Sequence, residues 1–206
     1  MRLPAGDSEL VQIVDAALAD AARQAGEWLV CRPGCTQCCY GAFAINALDV
    51  LRLRAGMESL KKAEPDLAAE ILRRAQGWIA EHGPGFPGDA TTGLLGDSEK
   101  ERERFEDYAN KAPCPALDPA AGRCDVYAWR PMTCRVFGPP IRMDAGIGEG
   151  LALGHCERCF AGASESEVAR CEMPGPQELE ARLLDESAAS SSGARGETVV
   201  AVALLR

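Results

Sequence analysis

Aromatic side chains make up only 5% of this 206-residue chain, histidine occurs twice, and Lys and Arg are outnumbered by Asp and Glu, 22 to 31. Each shortage excludes something. With few aromatics, alanine and leucine must build the core, and that composition favours helices. A net charge of −9 argues against tracking nucleic-acid phosphates, which needs a basic face. No stretch reaches the roughly 18 apolar residues of a membrane span, so no membrane partner is expected. The opening residues, MRLPAGDSELVQIVDAALADAARQ, carry acidic groups where a secretory leader has its apolar core. A cytoplasmic, reducing location is therefore expected, where disulfides are disfavoured. The chain also shows no internal repeat, βαβ rhythm, phosphate loop, Ser-His-Asp set or carboxylate pair. Hydrolase and kinase readings thus have no residues to rest on.

Cysteine, by contrast, occurs ten times. Four thiols crowd the segment CRPGCTQCC (Cys31, Cys35, Cys38, Cys39), three follow at ten-residue intervals (Cys114, Cys124, Cys134), and HCERC adds Cys156 and Cys159 beside His155. Thiols this dense are metal ligands more often than packing residues. Spacings of three and two let one loop present several sulfurs to a centre about 2.3 Å from each, the Zn–S distance, and an iron–sulfur cluster uses similar loops. Cys31, Cys35 and Cys38 supply such a loop, which needs a distant partner from Cys114, Cys124 or Cys134. The neighbours Cys38 and Cys39 point apart in most backbone conformations. Cys39 is therefore left to a second site, a bridged pair of ions, or the core. His155 is a candidate ligand, His82 a loop residue, and Cys171 an unligated thiol. Zinc or iron, the latter alone or in an iron–sulfur cluster, is the cofactor these thiolates imply.

The intervening sequence reads as mainly α, with a small β-hairpin element and a metal-stabilised cysteine-rich core packed by helices. Asp7 or Ser8 can cap a first helix running to about residue 26, with Leu10, Val14, Leu18 and Ala21 at helical spacing. Asn46 can cap a short helix over 47–54. A helix from Pro65 shows Ala68, Ile71, Ala75 and Trp78 on one face. The segment 82–96 is turn-rich, and Ser98 with Glu101 forms a capping box for a charged helix to about residue 111. DPAAGR predicts a hairpin that brings Cys114 and Cys124 together. Glycines 146, 148 and 150 mark a turn between two short segments that can pair as strands. A helix over 177–186 precedes a Ser/Ala/Gly-rich linker and an apolar tail, ETVVAVALL, read as a strand or buried tail. The expected organisation is one cysteine-cluster domain over 1–186, with helices over 47–111 between its cysteine motifs, and the linker and tail over 187–206.

CRPGCTQCC, CPAL at Cys114, and CDVYAWRPMTCRVFG together resemble the YkgJ-like cysteine-cluster family of zinc- or iron-chelating domains. The last motif carries Cys124, Tyr127, Arg130, Pro131, Cys134 and Arg135. The resemblance runs over about residues 31–159, with Gly138 a small departure ahead of Pro139. It implies metal chelation, with a metal ion as the partner. It leaves the activity undefined; a flagellin lysine methylase carries a similar domain, so an iron–sulfur redox or methyl-transfer-associated enzyme is the alternative. Arg130 and Arg135 can offset the negative charge of a four-thiolate centre, and Tyr127 can donate to a sulfur or pack over the site. The spacing of Cys31, Cys35 and Cys38 also matches radical S-adenosylmethionine enzymes. Gln37 stands where those carry an aromatic, however, and a helical chain cannot supply their βα barrel.

Overall fold

The computed structural model describes residues 3–144, 151–175, 177–190 and 196–206. The elements are α1 (Asp7–Ala25), β1 (Ala44–Ile45), α2 (Ala47–Ala63), α3 (Pro65–His82), β2 (Gly88–Asp89), β3 (Leu94–Leu95), α4 (Glu99–Glu106), β4 (Leu117–Asp118) and β5 (Arg123–Cys124). Then come α5 (Met132–Val136), β6 (Ile141–Asp144), β7 (Leu151–Gly154), α6 (Glu165–Arg170), α7 (Gln177–Ser190), β8 (Thr198–Val199) and α8 (Val200–Leu205). The fold is mainly helical, with small two-stranded antiparallel sheets. Two compact units share it: one gathers Pro33–Met132 and Ser187–Arg206, the other Pro4–Arg32 and Thr133–Glu186.

In the first unit, Asn46 accepts the Asp49 N–H and so caps α2, while Pro65 opens α3. Leu53, Met57 and Leu60 of α2 and Ile71 and Ala75 of α3 close over Val200, Ala203 and Leu204 of α8. The apolar tail is thus core, joined to β1 by the pairs Ala44↔Val199 and Ile45↔Thr198. Beside it, Trp78, Phe86 and Tyr108 pack with Val199 and Val202, and Tyr108 donates its hydroxyl hydrogen to the His82 carbonyl. Helix α2 extends nine residues beyond the 47–54 expected. It passes through Gly56, where a Cβ would lie 2.5 Å from the Trp129 ring. Helix α4 has the expected capping box but stops at Glu106, followed by Ala109 with φ +53°. The turn-rich segment contains a further hairpin, β2–β3.

In the second unit, α1 buries Leu10, Val14, Ala21 and Ala25 and ends at Gly26, with φ +52°. Its N-cap is Gly6, with no side-chain cap, because the helix begins earlier than capping by Asp7 or Ser8 would allow. Arg135 of α5 reaches Asp15 of α1 through two bonds of 2.8 and 2.9 Å. Strands β6 and β7 pair antiparallel, as their sequences suggest. The glycine turn between them, 145–150, lies outside the described residues, as does 191–195 of the linker. Helix α6, unanticipated from sequence, has its own capping box, Ser164 with Glu167.

Candidate metal centre

All ten cysteines are unbridged thiols. In the first unit, the loop carrying Cys35, Cys38 and Cys39 ends in a 3₁₀ turn, Gln37–Cys39, closed by the Cys39 N–H on the Thr36 carbonyl at 2.8 Å. Beyond it the chain lies antiparallel to the segment before Cys114. The Cys114 N–H donates to the Cys39 carbonyl (2.7 Å), the Gly41 N–H to that of Ala112 (3.0 Å), and Tyr40 bridges Pro113. Sequence reasoning kept Cys38 and Cys39 apart. The tight turn instead sets their sulfurs 4.0 Å from each other.

Cys114 and Cys124 are joined by the β4–β5 hairpin, in which Leu117 pairs with Cys124. Its DPAAGR turn is held by Asp118, whose carboxylate accepts the N–H groups of Ala120 and Ala121. Arg74 of α3 braces the hairpin, donating to the Leu117 carbonyl at 2.6 Å and to Asp125 at 2.5 Å. Backbone N–H groups face both sulfurs: Ala116 donates to Cys114 and Val126 to Cys124, each two residues on. Such bonds stabilise a thiolate once it forms.

The electrostatics tie the four sulfurs together. The hydrogen bond from Cys39, aided by the charge of Arg130, draws the Cys38 thiol down to about 7. Cys39 is pushed up by the same hydrogen bond, with further contributions from burial and from the nearby Cys38, Cys114 and Cys124. Burial raises Cys114 to about 12 and Cys124 to about 11, and the charge of Arg130 opposes the rise at Cys124. The Arg130 guanidinium is buried, 3.9 Å over the Tyr127 ring, and donates to the Tyr127 carbonyl at 3.0 Å. Tyr127 itself is 62% exposed.

The remaining predicted residues fall in the second unit. Cys31 lies with its sulfur 3.9 Å from that of Cys159, Cys156 and Cys159 are buried in an apolar cluster with Cys171 and Phe160, and Cys134 is half-buried on α5. Arg135 is committed to Asp15. His155 is exposed, its Nδ1 3.0 Å from the Cys156 carbonyl oxygen. Sequence reasoning missed the buried pair Asp49–Arg52 and the Arg74–Asp125 brace, which position the centre without belonging to it. The first is an i,i+3 pair on α2 whose burial the local sequence does not show, and the second joins residues 51 apart.

The donor chemistry fits a thiophilic ion. Two thiolates on one tetrahedral zinc, each bonded at about 2.3 Å, stand about 3.8 Å apart, close to the 4.0 Å between Cys38 and Cys39. Among the described residues, no group of three or more His, Cys, Asp or Glu side chains is placed to hold a metal ion. Within the first unit, Cys38, Cys39, Cys114 and Cys124 lie near one another without converging on a common point. Residues 30–145 match the CxxCxxCC family model, described as a putative zinc- or iron-chelating domain, and the chain belongs to that family. No curated protein and no solved structure matches it. No helix among the described residues is long and apolar enough to cross a membrane.

Proposed function

We propose that this protein is a cytoplasmic chelator that holds zinc or iron through Cys38, Cys39, Cys114 and Cys124, with Cys35 as the further donor of the same loop. The observation that carries this is the convergence of two chain segments. A 3₁₀ turn sets two sulfurs side by side, and direct backbone bonding of Cys39 to Cys114 brings a hairpin with two more thiols against it. Arg130, stacked on Tyr127, supplies the positive charge that a cluster of thiolates lacks. Zinc here would be a structural or stored ion; iron would be held alone or as an iron–sulfur cluster.

The test is anaerobic purification followed by metal analysis and an absorbance spectrum. A colourless protein with stoichiometric zinc supports the structural site. A brown protein with broad visible absorption supports iron–sulfur chemistry. In either case Cys114→Ser should lower the metal content. A reduced protein that takes up neither metal, or a Cys114→Ser variant with undiminished affinity and stoichiometry, would overturn the assignment.

A further inference from the structure

We propose that Cys31, Cys156 and Cys159 form a second metal site, for a thiophilic divalent ion, built wholly from the Pro4–Arg32 and Thr133–Glu186 unit. Two of its three thiols, Cys156 and Cys159, lie beyond the residues that match the chelating family, so family membership does not assign it.

The geometry is that of a metal-binding turn. Cys156 and Cys159 have two residues between them, and the Cys159 N–H closes the turn on the Cys156 carbonyl at 2.8 Å. The Arg158 and Cys159 N–H groups also face the Cys156 sulfur, and the Cys159 thiol is within hydrogen-bonding reach of it. The next residue, Phe160, has φ +59°, in the left-handed region that a bulky side chain seldom occupies. The Phe160 N–H donates to the Trp28 carbonyl at 2.9 Å, which sets the turn beside the segment leading into Cys31.

Cys31 supplies the third thiol, and an ion would draw the three sulfurs inward, since as they stand they are not placed to hold one. Its sulfur is 3.9 Å from that of Cys159, near the separation of about 3.8 Å for two thiolates on one tetrahedral zinc. Gly138 keeps the space beside that sulfur clear. It adopts φ +132°, and a Cβ there would lie 3.1 Å from the Cys31 sulfur. Cys156 and Cys159 are buried while Cys31 is exposed, which gives an ion a way in. Binding exchanges three thiol protons for one divalent ion and leaves a complex of net charge −1, with three protein ligands and one open coordination position. Three-ligand sites of that kind exchange their fourth ligand readily, unlike closed structural sites.

The test is anaerobic titration of the reduced, metal-free full chain with Zn²⁺, and with Co²⁺ as the spectroscopic probe. The wild type should take up two equivalents, and the second should leave faster to a chelator. Cys31→Ser and Cys159→Ser should each retain one equivalent, Cys114→Ser should also retain one, and Cys114→Ser/Cys159→Ser none. Far-ultraviolet circular dichroism controls for folding; because Cys31 is exposed, Cys31→Ser decides the matter if Cys159→Ser misfolds. Unchanged stoichiometry in Cys31→Ser overturns the proposal, as does loss of all metal in every single variant, which means one shared centre. If Cys114→Ser alone is without effect, the first centre fails and the second stands.

Discussion

Asp49 offers the sharpest test of how the first unit holds its cysteines in place. Its carboxylate is 1% exposed and accepts from Arg52 at 2.6 Å and from the Met132 N–H, 83 residues away, at 2.8 Å. Arg52 is 2% exposed, so Asp49→Ala takes the carboxylate from beside a buried guanidinium. Breaking a buried ion pair costs about 3–5 kcal/mol, and losing the acceptor for a backbone N–H adds about 1 kcal/mol. Against a total stability of about 5–15 kcal/mol that is a large share. With a urea m-value of about 2 kcal/mol/M, the unfolding midpoint should fall by about 2–3 M. Removing both charges, as Asp49→Leu with Arg52→Met, should recover most of the loss, because the cost lies in the uncompensated charge. Urea titration followed by circular dichroism measures all three proteins. The same loss should loosen the segment from Arg130 to Met132 and weaken metal retention against a competing chelator. A single variant within about 1 kcal/mol of wild type, or a double variant no more stable than the single, would refute the reasoning.

Gly56→Ala should cost about 1–3 kcal/mol by overpacking, since the new methyl would meet the Trp129 ring at 2.5 Å, and the midpoint of thermal unfolding reads it directly. In the metal-free protein, the lowered Cys38 thiol adds stability as pH rises from about 7 toward the ordinary thiol value of 9.0. The raised Cys124 and Cys114 thiols then withdraw theirs as pH climbs through about 11 and about 12. Denaturation from pH 6 to 12 should therefore show an alkaline fall that Cys114→Ser/Cys124→Ser flattens; an equally steep fall in that variant would contradict it. Metal affinity should instead rise with pH through neutrality, because each ligand must lose its proton, and a flat or falling titration curve would count against thiolate ligation. Stripping the metal should expose residues 34–39 and 114–126 to protease while α2 and α3 persist, since their apolar faces are buried without it; a proteolysis map unchanged by chelator would show that the ion does not hold those segments.

What the sequence disclosed depended on whether the signal was local. The period of Ala68, Ile71, Ala75 and Trp78 located α3, Asn46 capped α2, and DPAAGR placed Cys114 and Cys124 on one hairpin. The end of α2 was not legible, because Gly56, a weak helix former, is required there by Trp129, a neighbour brought by the fold. The tail's valines favour a strand, yet burial among α2 and α3 makes Val200–Leu205 helical after only two strand residues. Helix α6 had a signature like that at Ser98, and Ser164 with Glu167 could have revealed it. At the candidate centre, spacing identified the thiols. Their grouping depended on a 3₁₀ turn and on long-range bonds that no motif encodes.

The pairing of β1 with β8 also constrains how the molecule can be made. Residues 44–45 find their strand partners only at 198–199, and α8 then fills the core between α2 and α3. At about 5–20 residues per second of synthesis, on the order of 10–30 s separate the emergence of the two halves. Throughout that interval the CTQCC turn is on a nascent chain whose core is still open, its thiols accessible to oxidants and to any ion the ribosome's surroundings supply. Metal loading and closure of the first unit thus become late events, joined in time by the emergence of β8 and α8 from the exit tunnel.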